Sequence, residues 1–333
     1  MALFYGGSIG FGASAAAGGA AGGIFWGTYG LWGGGSHPTV AEIDYVTIAS
    51  TGNAGDFGNL VSARRYVNGC SSGDAGRGVF AGGTDGSPEP SGADGMEYVT
   101  ISSLGDTTDF GDLYNSQHMQ GPGTGGDGNR GLMIGGEKLT GPGAYYNPQI
   151  SYITIASIGN SLDFGQMYTG EGGAYSTGLM NGVVCRIAGG SFAPSPYQHE
   201  RITSVTVATA GNATDWGNLL EVRYQLAGVS SNAGRGVWCG GYGAPPSPYN
   251  TDVMQYLTIA TMNDSLDFGN ARVAFDSGKG VQNGPRGVFN IAVYPTSYTN
   301  EIAYITIASL GDSADFGDLT SASHAHSGSA SGD

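Results

Sequence analysis

The stretch Tyr98-Val-Thr-Ile-Ser-Ser-Leu-Gly-Asp-Thr-Thr-Asp-Phe-Gly-Asp112 joins a run of alternating apolar and polar residues to an Asp-Phe-Gly phrase. Variants of this stretch occur six times in the chain of 333 residues. Successive copies of its aromatic residue are 53, 54, 52, 52 and 48 residues apart, at Phe57, Phe110, Phe164, Trp216, Phe268 and Phe316. A fixed period of about 50 residues is typical of a repeat architecture, in which each unit buries its faces against its neighbours.

Each unit also contains a segment of small residues that ends in a pair of glycines in most copies. Examples are Gly78-Val-Phe-Ala-Gly-Gly83 and Gly236-Val-Trp-Cys-Gly-Gly241, whereas the last unit reads Gly287-Val-Phe-Asn-Ile-Ala292. Glycine makes up 63 of the 333 residues, and no long window has the period of an amphipathic helix. Four short strands in about 50 residues is typical of a β-propeller blade, whereas a β-helix has shorter rungs. The sequence therefore predicts an all-β, six-bladed β-propeller.

The ends of the repeat region predict how the ring closes. The last unit ends with residues 319–333, which follow the pattern of residues 60–74 and stop before a Gly-pair strand would begin. The first unit begins with that strand, at Tyr29-Gly-Leu-Trp32. We therefore expect the C-terminal strand to complete the first blade, which removes both sheet edges. The predicted propeller covers residues 29–333, with repeats at about 29–75, 76–128, 129–181, 182–233, 234–284 and 285–333.

Residues 1–28 differ in composition and are interpreted as a Gly/Ala-rich N-terminal arm. No charged residue precedes Glu42, so the basic start of a signal peptide is missing, and the Ala/Gly run is too weakly apolar for a membrane span. An uncharged arm with aromatic side chains free in water would favour aggregation, so we expect it to dock. Two alternatives are its own ring, where it would act as a plug, and a neighbouring subunit. The candidate docking residues are Phe4, Tyr5, Phe11, Phe25 and Trp26.

Charge and cysteine usage limit the classes of partner. The formal net charge is −15, from 27 acidic and 12 basic residues, so there is no basic stripe for nucleic acid. The acidity is typical of a soluble protein that avoids self-association at high concentration. The three cysteines, Cys70, Cys185 and Cys239, lack the number and spacing of a disulfide framework or zinc site. We expect buried free thiols and folding in a reducing cytoplasm.

Two residue patterns have some of the ligands of a metal site. Asp106, Asp109 and Asp112 could offer oxygen ligands to calcium, but most other copies of the turn carry fewer charges. We expect instead that the side chains of this turn cap backbone amides while the aromatic residue packs between blades. His324 and His326 share one face of a predicted strand but have no third ligand in view. No metal and no cofactor is therefore predicted.

Catalytic motifs are incomplete in this sequence. The Asp-Phe-Gly triplet of protein kinases occurs without a phosphate-binding loop or a His-Arg-Asp loop, and there is no Gly-x-Ser-x-Gly elbow. The segment Ser161-Leu-Asp-Phe-Gly165 matches only the first half of a sialidase-type Asp box. We therefore expect a protein that is not an enzyme.

The loops that follow the Gly pairs carry the candidate binding residues. They are rich in Pro, Tyr, Ser and Asn, and they occupy the same point of each repeat, so they should emerge on one face of the ring. Tyrosine offers a large contact area at low entropic cost. The candidate partner-binding residues are Tyr145, Tyr146, Tyr197, Tyr242, Tyr249, Tyr294 and Tyr298.

The order of a Gly pair, a later Tyr, an aromatic residue and a strand with an occasional Arg resembles a degenerate kelch repeat over residues 29–333. Phe stands where kelch repeats usually have Trp in five of the six copies. The residue pattern of the repeat is similar to that of kelch-like proteins of marine and cyanobacterial tailed phages. That resemblance implies a virion or tail component, assembled in the host cytoplasm, that binds other virion proteins in a multi-copy assembly.

Two other functions remain open from the sequence. A host-surface adhesin that binds glycans predicts exposed aromatic residues clustered with Asn and Asp. A degenerate glycan-active enzyme, which is less favoured, predicts a converging pair of carboxylates with shifted pKa values in the central channel.

Overall fold

A computed structural model describes residues 27–72, 76–85, 94–114, 129–138, 145–167, 175–191, 199–231, 234–243, 249–261, 264–293, 299–322 and 327–332. All regular secondary structure in these ranges is β-strand. Six small antiparallel sheets are arranged as a six-bladed β-propeller, which confirms the predicted fold class.

The described strands of the first three blades have five to ten residues. Blade 1 contains β1 (Tyr29–Gly35), β2 (Val40–Thr47) and β3 (Gly55–Asn59). Blade 2 contains β4 (Asn68–Ser72), β5 (Arg77–Ala81), β6 (Gly95–Thr100) and β7 (Thr108–Asp112). Blade 3 contains β8 (Arg130–Lys138), β9 (Tyr145–Thr154) and β10 (Leu162–Gln166), and residues 115–128, which precede it, lie outside the described ranges.

The other three blades each have four strands. Blade 4 contains β11 (Thr177–Met180), β12 (Val184–Ala188), β13 (Arg201–Thr206) and β14 (Thr214–Asn218). A separate two-stranded sheet joins β15 (Arg223–Tyr224) to β18 (Tyr242–Gly243). Blade 5 contains β16 (Ala227–Ser230), β17 (Arg235–Cys239), β19 (Thr251–Thr258) and β20 (Leu266–Phe275). Blade 6 contains β21 (Gly280–Gln282), β22 (Arg286–Asn290), β23 (Glu301–Thr306) and β24 (Ala314–Asp318).

The ring closes as the sequence predicts. The last strand, β25 (Gly328–Gly332), pairs antiparallel with β1 and completes blade 1, with Leu31 opposite Ala330. Blade 1 therefore combines the two ends of the repeat region, and its sheet has no unpaired edge at β1.

The strand order gives the ring two distinct faces. Neighbouring strands are antiparallel and follow one another in each blade, so successive connections alternate between the two ends of the sheet. The connections between the second and third strands, and those between blades, lie on one face, which we call the loop face. The short turns between the third and fourth strands lie on the opposite face, which we call the turn face.

The Asp-Phe-Gly phrase builds a β-bulge in every outer strand. In blade 2, Met96 pairs with Gly111 and Glu97 pairs with Asp109, so that Phe110 is the extra residue. The same register shift occurs in the other five blades. A bulge re-aims its extra side chain, and Phe110 is fully buried, with its ring edge-on to Tyr98 at 5.9 Å between centroids.

The bulge also leaves a backbone carbonyl free for the next blade. The Phe57 carbonyl accepts a 2.8 Å hydrogen bond from the Gly105 N–H, and the Asp106 carboxylate accepts one of 2.9 Å from the Asn59 N–H. All six blade interfaces have this side-chain cap, made by Asn53, Asp106, Asn160, Asn212, Asp264 and Asp312. The capping role expected for this turn is confirmed, and it links neighbouring blades rather than closing a local turn.

The innermost strands lie so close together that side chains do not fit between them. A Cβ on Gly69 would lie 2.3 Å from the Ser329 carbonyl oxygen, and one on Gly280 would lie 2.2 Å from the Gly228 carbonyl oxygen. These distances are below any real Cβ contact, so glycine is required at both positions. The Ser329 hydroxyl also donates a 3.0 Å hydrogen bond to the Gly280 carbonyl, across the blade 6 to blade 1 closure.

Blade 4 replaces the shared aromatic pair by a different set of residues. Ser204 stands where the other blades have Tyr, and Trp216 stands where they have Phe. The Arg186 guanidinium fills the space, because it lies 3.3 Å from the Trp216 ring centroid and donates to the Ser204 hydroxyl. Burial lowers the pKa of Arg186 to about 10, so this guanidinium is still charged at neutral pH.

Candidate functional site

Of the seven candidate tyrosines, Tyr242 and Tyr249 lie in the described part of the chain together with their side chains. Tyr242 lies on β18 and Tyr249 begins the segment that leads into β19. The structure places Tyr145 and Tyr146 at the start of β9 but gives only their backbone. The remaining candidates lie outside the described residues: Tyr197, Tyr294 and Tyr298 of the loops, and Phe4, Tyr5, Phe11, Phe25 and Trp26 of the arm.

Tyr242 and Tyr249 belong to a row of four tyrosines on the loop face. The other two members, Tyr175 and Tyr224, come from the connections that precede the inner strands of blades 4 and 5. Ring centroids are 5.6 Å apart for Tyr175 and Tyr224, 5.1 Å for Tyr224 and Tyr242, and 5.1 Å for Tyr242 and Tyr249. We call these four residues the tyrosine row.

Backbone pairing holds the row in place. In the small sheet, Tyr224 lies opposite Tyr242, so their side chains share one face. The Gly243 N–H donates to the Tyr249 carbonyl at 2.7 Å, and Tyr242 forms a bridge with Asn250, so the loop between these residues is closed at its base. Tyr175 has a left-handed backbone, with φ of 64°, and its carbonyl accepts a 3.0 Å hydrogen bond from the Gln225 N–H. These bonds pre-organise the rings, which lowers the entropic cost of binding.

One end of the row is more exposed than the rest. Tyr175, Tyr224 and Tyr242 are half-buried, whereas 56% of Tyr249 is exposed, and its ring is stacked on Tyr242 with an interplanar angle of 29°. The row therefore presents a continuous aromatic surface whose outer end is free to contact another molecule.

The surroundings of Tyr242 favour its neutral phenol. Burial raises the pKa of Tyr242, and the neighbouring Tyr249 and Asp276 raise it further. Tyr242 is thus a protonated phenol at neutral pH, which can donate and accept hydrogen bonds but is a poor base or nucleophile.

Two polar atoms in the residues that flank the row have no hydrogen-bond partner among the described residues. They are the Arg223 Nη1, whose neighbouring Nη2 pairs with Glu221, and the Asn250 Oδ1. A buried polar group without a partner is costly. Both atoms have almost no accessible surface, so a molecule that contacts the exposed end of the row does not reach them.

Metal ligands and reactive thiols are the other groups that could give the described residues a chemical activity. They contain no cluster of three His, Cys, Asp or Glu side chains that could hold a metal ion. Burial raises the pKa of the Cys70 thiol to about 12 and also raises that of Cys239, so these thiols stay protonated and unreactive at neutral pH. No helix in the described ranges is long and apolar enough to cross a membrane.

Sequence reasoning missed Tyr175 and Tyr224, which form half of the row. They lie in the segments between blades rather than after a Gly pair, and only the alternation of strand ends shows that both kinds of connection share a face. One sequence feature could have identified Tyr224: the Arg223-Tyr224 pair repeats the Arg65-Tyr66 pair, which lies at a similar point of the first unit.

Comparisons with known proteins do not assign a family. No protein-family model matches the chain, and no curated protein matches it. The kelch-like and phage resemblances remain predictions from the repeat phrase.

Proposed function

We propose that this protein is a non-enzymatic structural component of a phage particle, on the tail or associated with the capsid, that acts by protein–protein contacts through its loop face. The observation that carries the contact surface is the tyrosine row, an ordered aromatic surface with an exposed end. The assignment to a phage particle rests on the resemblance of the repeat phrase alone.

The aromatic surface of the loop face has the properties of a protein-binding surface. Aromatic rings are enriched at protein interfaces because they bury a large area at low entropic cost. The row is fixed by backbone hydrogen bonds on a rigid ring, and the net charge of −15 limits non-specific association. A multi-copy assembly with other virion proteins or with copies of the same chain requires such a surface.

Mass photometry of the full chain over a range of concentrations tests this function. We expect discrete assemblies, and we expect Tyr249→Ala to weaken assembly at least tenfold, because interface aromatics are the usual energetic hot spots. Leu310→Ala is the matched control, because Leu310 is 57% exposed but lies on the turn face. Equal weakening by both substitutions would contradict the assignment of the interface to the loop face.

The second candidate function is glycan binding at the host surface. The specific observation in its favour is the stacked pair of Tyr242 and Tyr249, with 56% of Tyr249 exposed, since sugars stack on aromatic rings. A monomer that binds host polysaccharide on an array, and that loses this binding in Tyr249→Ala but keeps it in Leu310→Ala, would establish this function instead of the first.

A further inference from the structure

Four blade interfaces share a contact that we call the arginine clamp. The clamp residue is the first residue of the second strand of its blade. Its guanidinium lies over the Tyr ring of the same blade, at 4.4 to 4.6 Å from the ring centroid, and donates to backbone carbonyls at the end of the third strand of the next blade. The four clamps are Arg77 to Ile155, Arg130 to Val207 and Ala208, Arg235 to Ile307 and Ala308, and Arg286 to Ile48.

The clamp shows what this position in the ring can bind. A guanidinium needs several acceptors when it is partly buried, and here a ring face and one or two carbonyl oxygens at 2.8 to 3.2 Å supply them. The same chemistry is therefore built four times from equivalent residues in this molecule.

The interface between blades 1 and 2 retains the acceptors but has no arginine. Tyr29 occupies the clamp position, since it pairs with Thr47 as Arg77 pairs with Thr100. Its ring packs edge-on against Tyr45 at 6.0 Å between centroids. The equivalent carbonyls belong to Ile101 and Ser102, and no described residue donates a hydrogen bond to either.

A cavity of about 300 Å³ occupies this place. It opens on the turn face and is lined by Tyr29, Tyr45, Thr47, Phe57, Ile101, Ser102 and Leu104. The interface between blades 5 and 6 offers a comparison, because Arg235 is present there. The cavity at that interface, of about 230 Å³, is lined by neither of the clamp carbonyl residues, Ile307 and Ala308.

We propose that the cavity between blades 1 and 2 binds the guanidinium of an arginine side chain from a partner polypeptide. Residues 1–28 contain no arginine, and none of the ten arginines of the chain lines the cavity, so the group must come from another molecule. The net charge of −15 favours a basic partner. This site lies on the face opposite the tyrosine row and does not rest on the function proposed for that row.

Titration of the full chain with N-acetyl-arginine-amide, followed by NMR chemical shifts, tests the proposal. We expect saturable binding in the millimolar range, since one side chain makes one ring contact and two hydrogen bonds. N-acetyl-citrulline-amide, which has the same shape without the charge, should bind at least about tenfold more weakly. Tyr29→Arg should abolish binding, because it places a clamp arginine in the cavity.

If Tyr29→Arg does not fold, the positions of the NMR chemical-shift changes in the wild-type chain still decide the test. In the wild-type chain, shifts confined to the backbone of residues 101–102 and to Tyr45 support the proposal. Equal shifts at the Arg77 interface, equal binding of the citrulline compound, or binding of free arginine but not of its capped form would overturn it. Unchanged binding in folded Tyr29→Arg would also overturn it.

Discussion

The turn face of the ring keeps the repeated contacts in most blades, whereas the loop face differs from blade to blade. On the turn face, the same Asx cap recurs at every interface and a buried Phe recurs in every blade except blade 4, so most contacts between blades are nearly identical. On the loop face, the connections differ in length and sequence, and the tyrosine row is formed at one position only, between blades 4 and 5, within the described residues.

The difference indicates which face carries the contacts that stabilise the ring, and it supports the loop face as the proposed binding surface. A contact that recurs around the ring contributes to stability at each interface and closes the ring without a weak joint. Because the turn face carries this role, the loop face is free to vary, as loops on a rigid scaffold generally are. Two interfaces on the turn face have no arginine at the clamp position, because Val184 holds it in blade 4 and Tyr29 holds it in blade 1. The cavity of about 300 Å³ lies at the second of these, between blades 1 and 2.

The largest effect is expected from removing a repeated aromatic residue. Phe110→Ala should lower the free energy of unfolding by about 3–5 kcal/mol, because it leaves a cavity in a fully buried position. Urea denaturation followed by far-UV circular dichroism measures this change. Leu162→Ala, on the neighbouring outer strand and 55% exposed, should change stability by less than about 0.5 kcal/mol. Similar losses in both variants would contradict the role given to the bulge.

The next effect concerns the glycine of the bulge. Gly111 has a φ of 135°, and a Cβ there would lie 2.6 Å from the Gly159 carbonyl carbon of the next blade. Gly111→Ala should cost about 3 kcal/mol, from backbone strain and a clash with backbone that cannot move away. Gly159 has a similar backbone conformation, but no atom lies within 4 Å of a Cβ placed there. Gly159→Ala should therefore lower the free energy of unfolding by only about 1–2 kcal/mol in the same denaturation experiment. Equal costs would show that the close approach between blades does not matter.

A pH-dependent effect is expected at the loop-face end of blade 6. Burial lowers the pKa of Lys279 from 10.5 to about 8 in the folded protein. Between these values the unfolded chain holds a proton that the folded chain has lost, so this lysine makes stability rise with pH from about 8 to 10.5 and lowers it most below pH 8.

Lys279→Met should therefore stabilise the protein below pH 8, by up to about 3 kcal/mol, and the advantage should disappear by about pH 10.5. Thermal or urea unfolding of both proteins across this range gives the difference. The raised pKa values of Cys70 and Cys239 make stability fall as pH rises above their ordinary value of 9.0, but this fall is common to both proteins. A difference independent of pH would show that the amine is not buried.

The smallest pair of effects compares the faces directly. Asp106→Ala removes one cap between blades and should cost about 1 kcal/mol. Tyr249→Ala, at the exposed end of the tyrosine row, should change stability by less than about 0.5 kcal/mol while it weakens binding. If Tyr249→Ala lost more stability than Asp106→Ala, the assignment of stability to the turn face would be contradicted.

Part of the binding surface could be read from the sequence. The Tyr-rich loops after the Gly pairs pointed to Tyr242 and Tyr249, but Tyr175 and Tyr224 could not be found in this way. Tyr175 meets Tyr224 across 49 residues of chain, and Tyr224 meets Tyr242 across 18 residues. A propensity or periodicity argument carries no information about which side chains meet at such separations.

The sequence by itself determined the number of blades, the strands of each blade and the closure of the ring. These features depend on local strand preference and on a period that is visible in the chain, so they follow without knowledge of any contact. Only the tertiary structure decided which residues meet between blades. It showed that Asp106 caps the preceding blade and that Arg77 reaches a carbonyl 78 residues away. It also showed that, among the described residues, none donates to the equivalent carbonyl beside Tyr29. The physical reason is that each of these contacts joins groups whose partners are fixed by the packing of whole blades, and not by neighbouring residues.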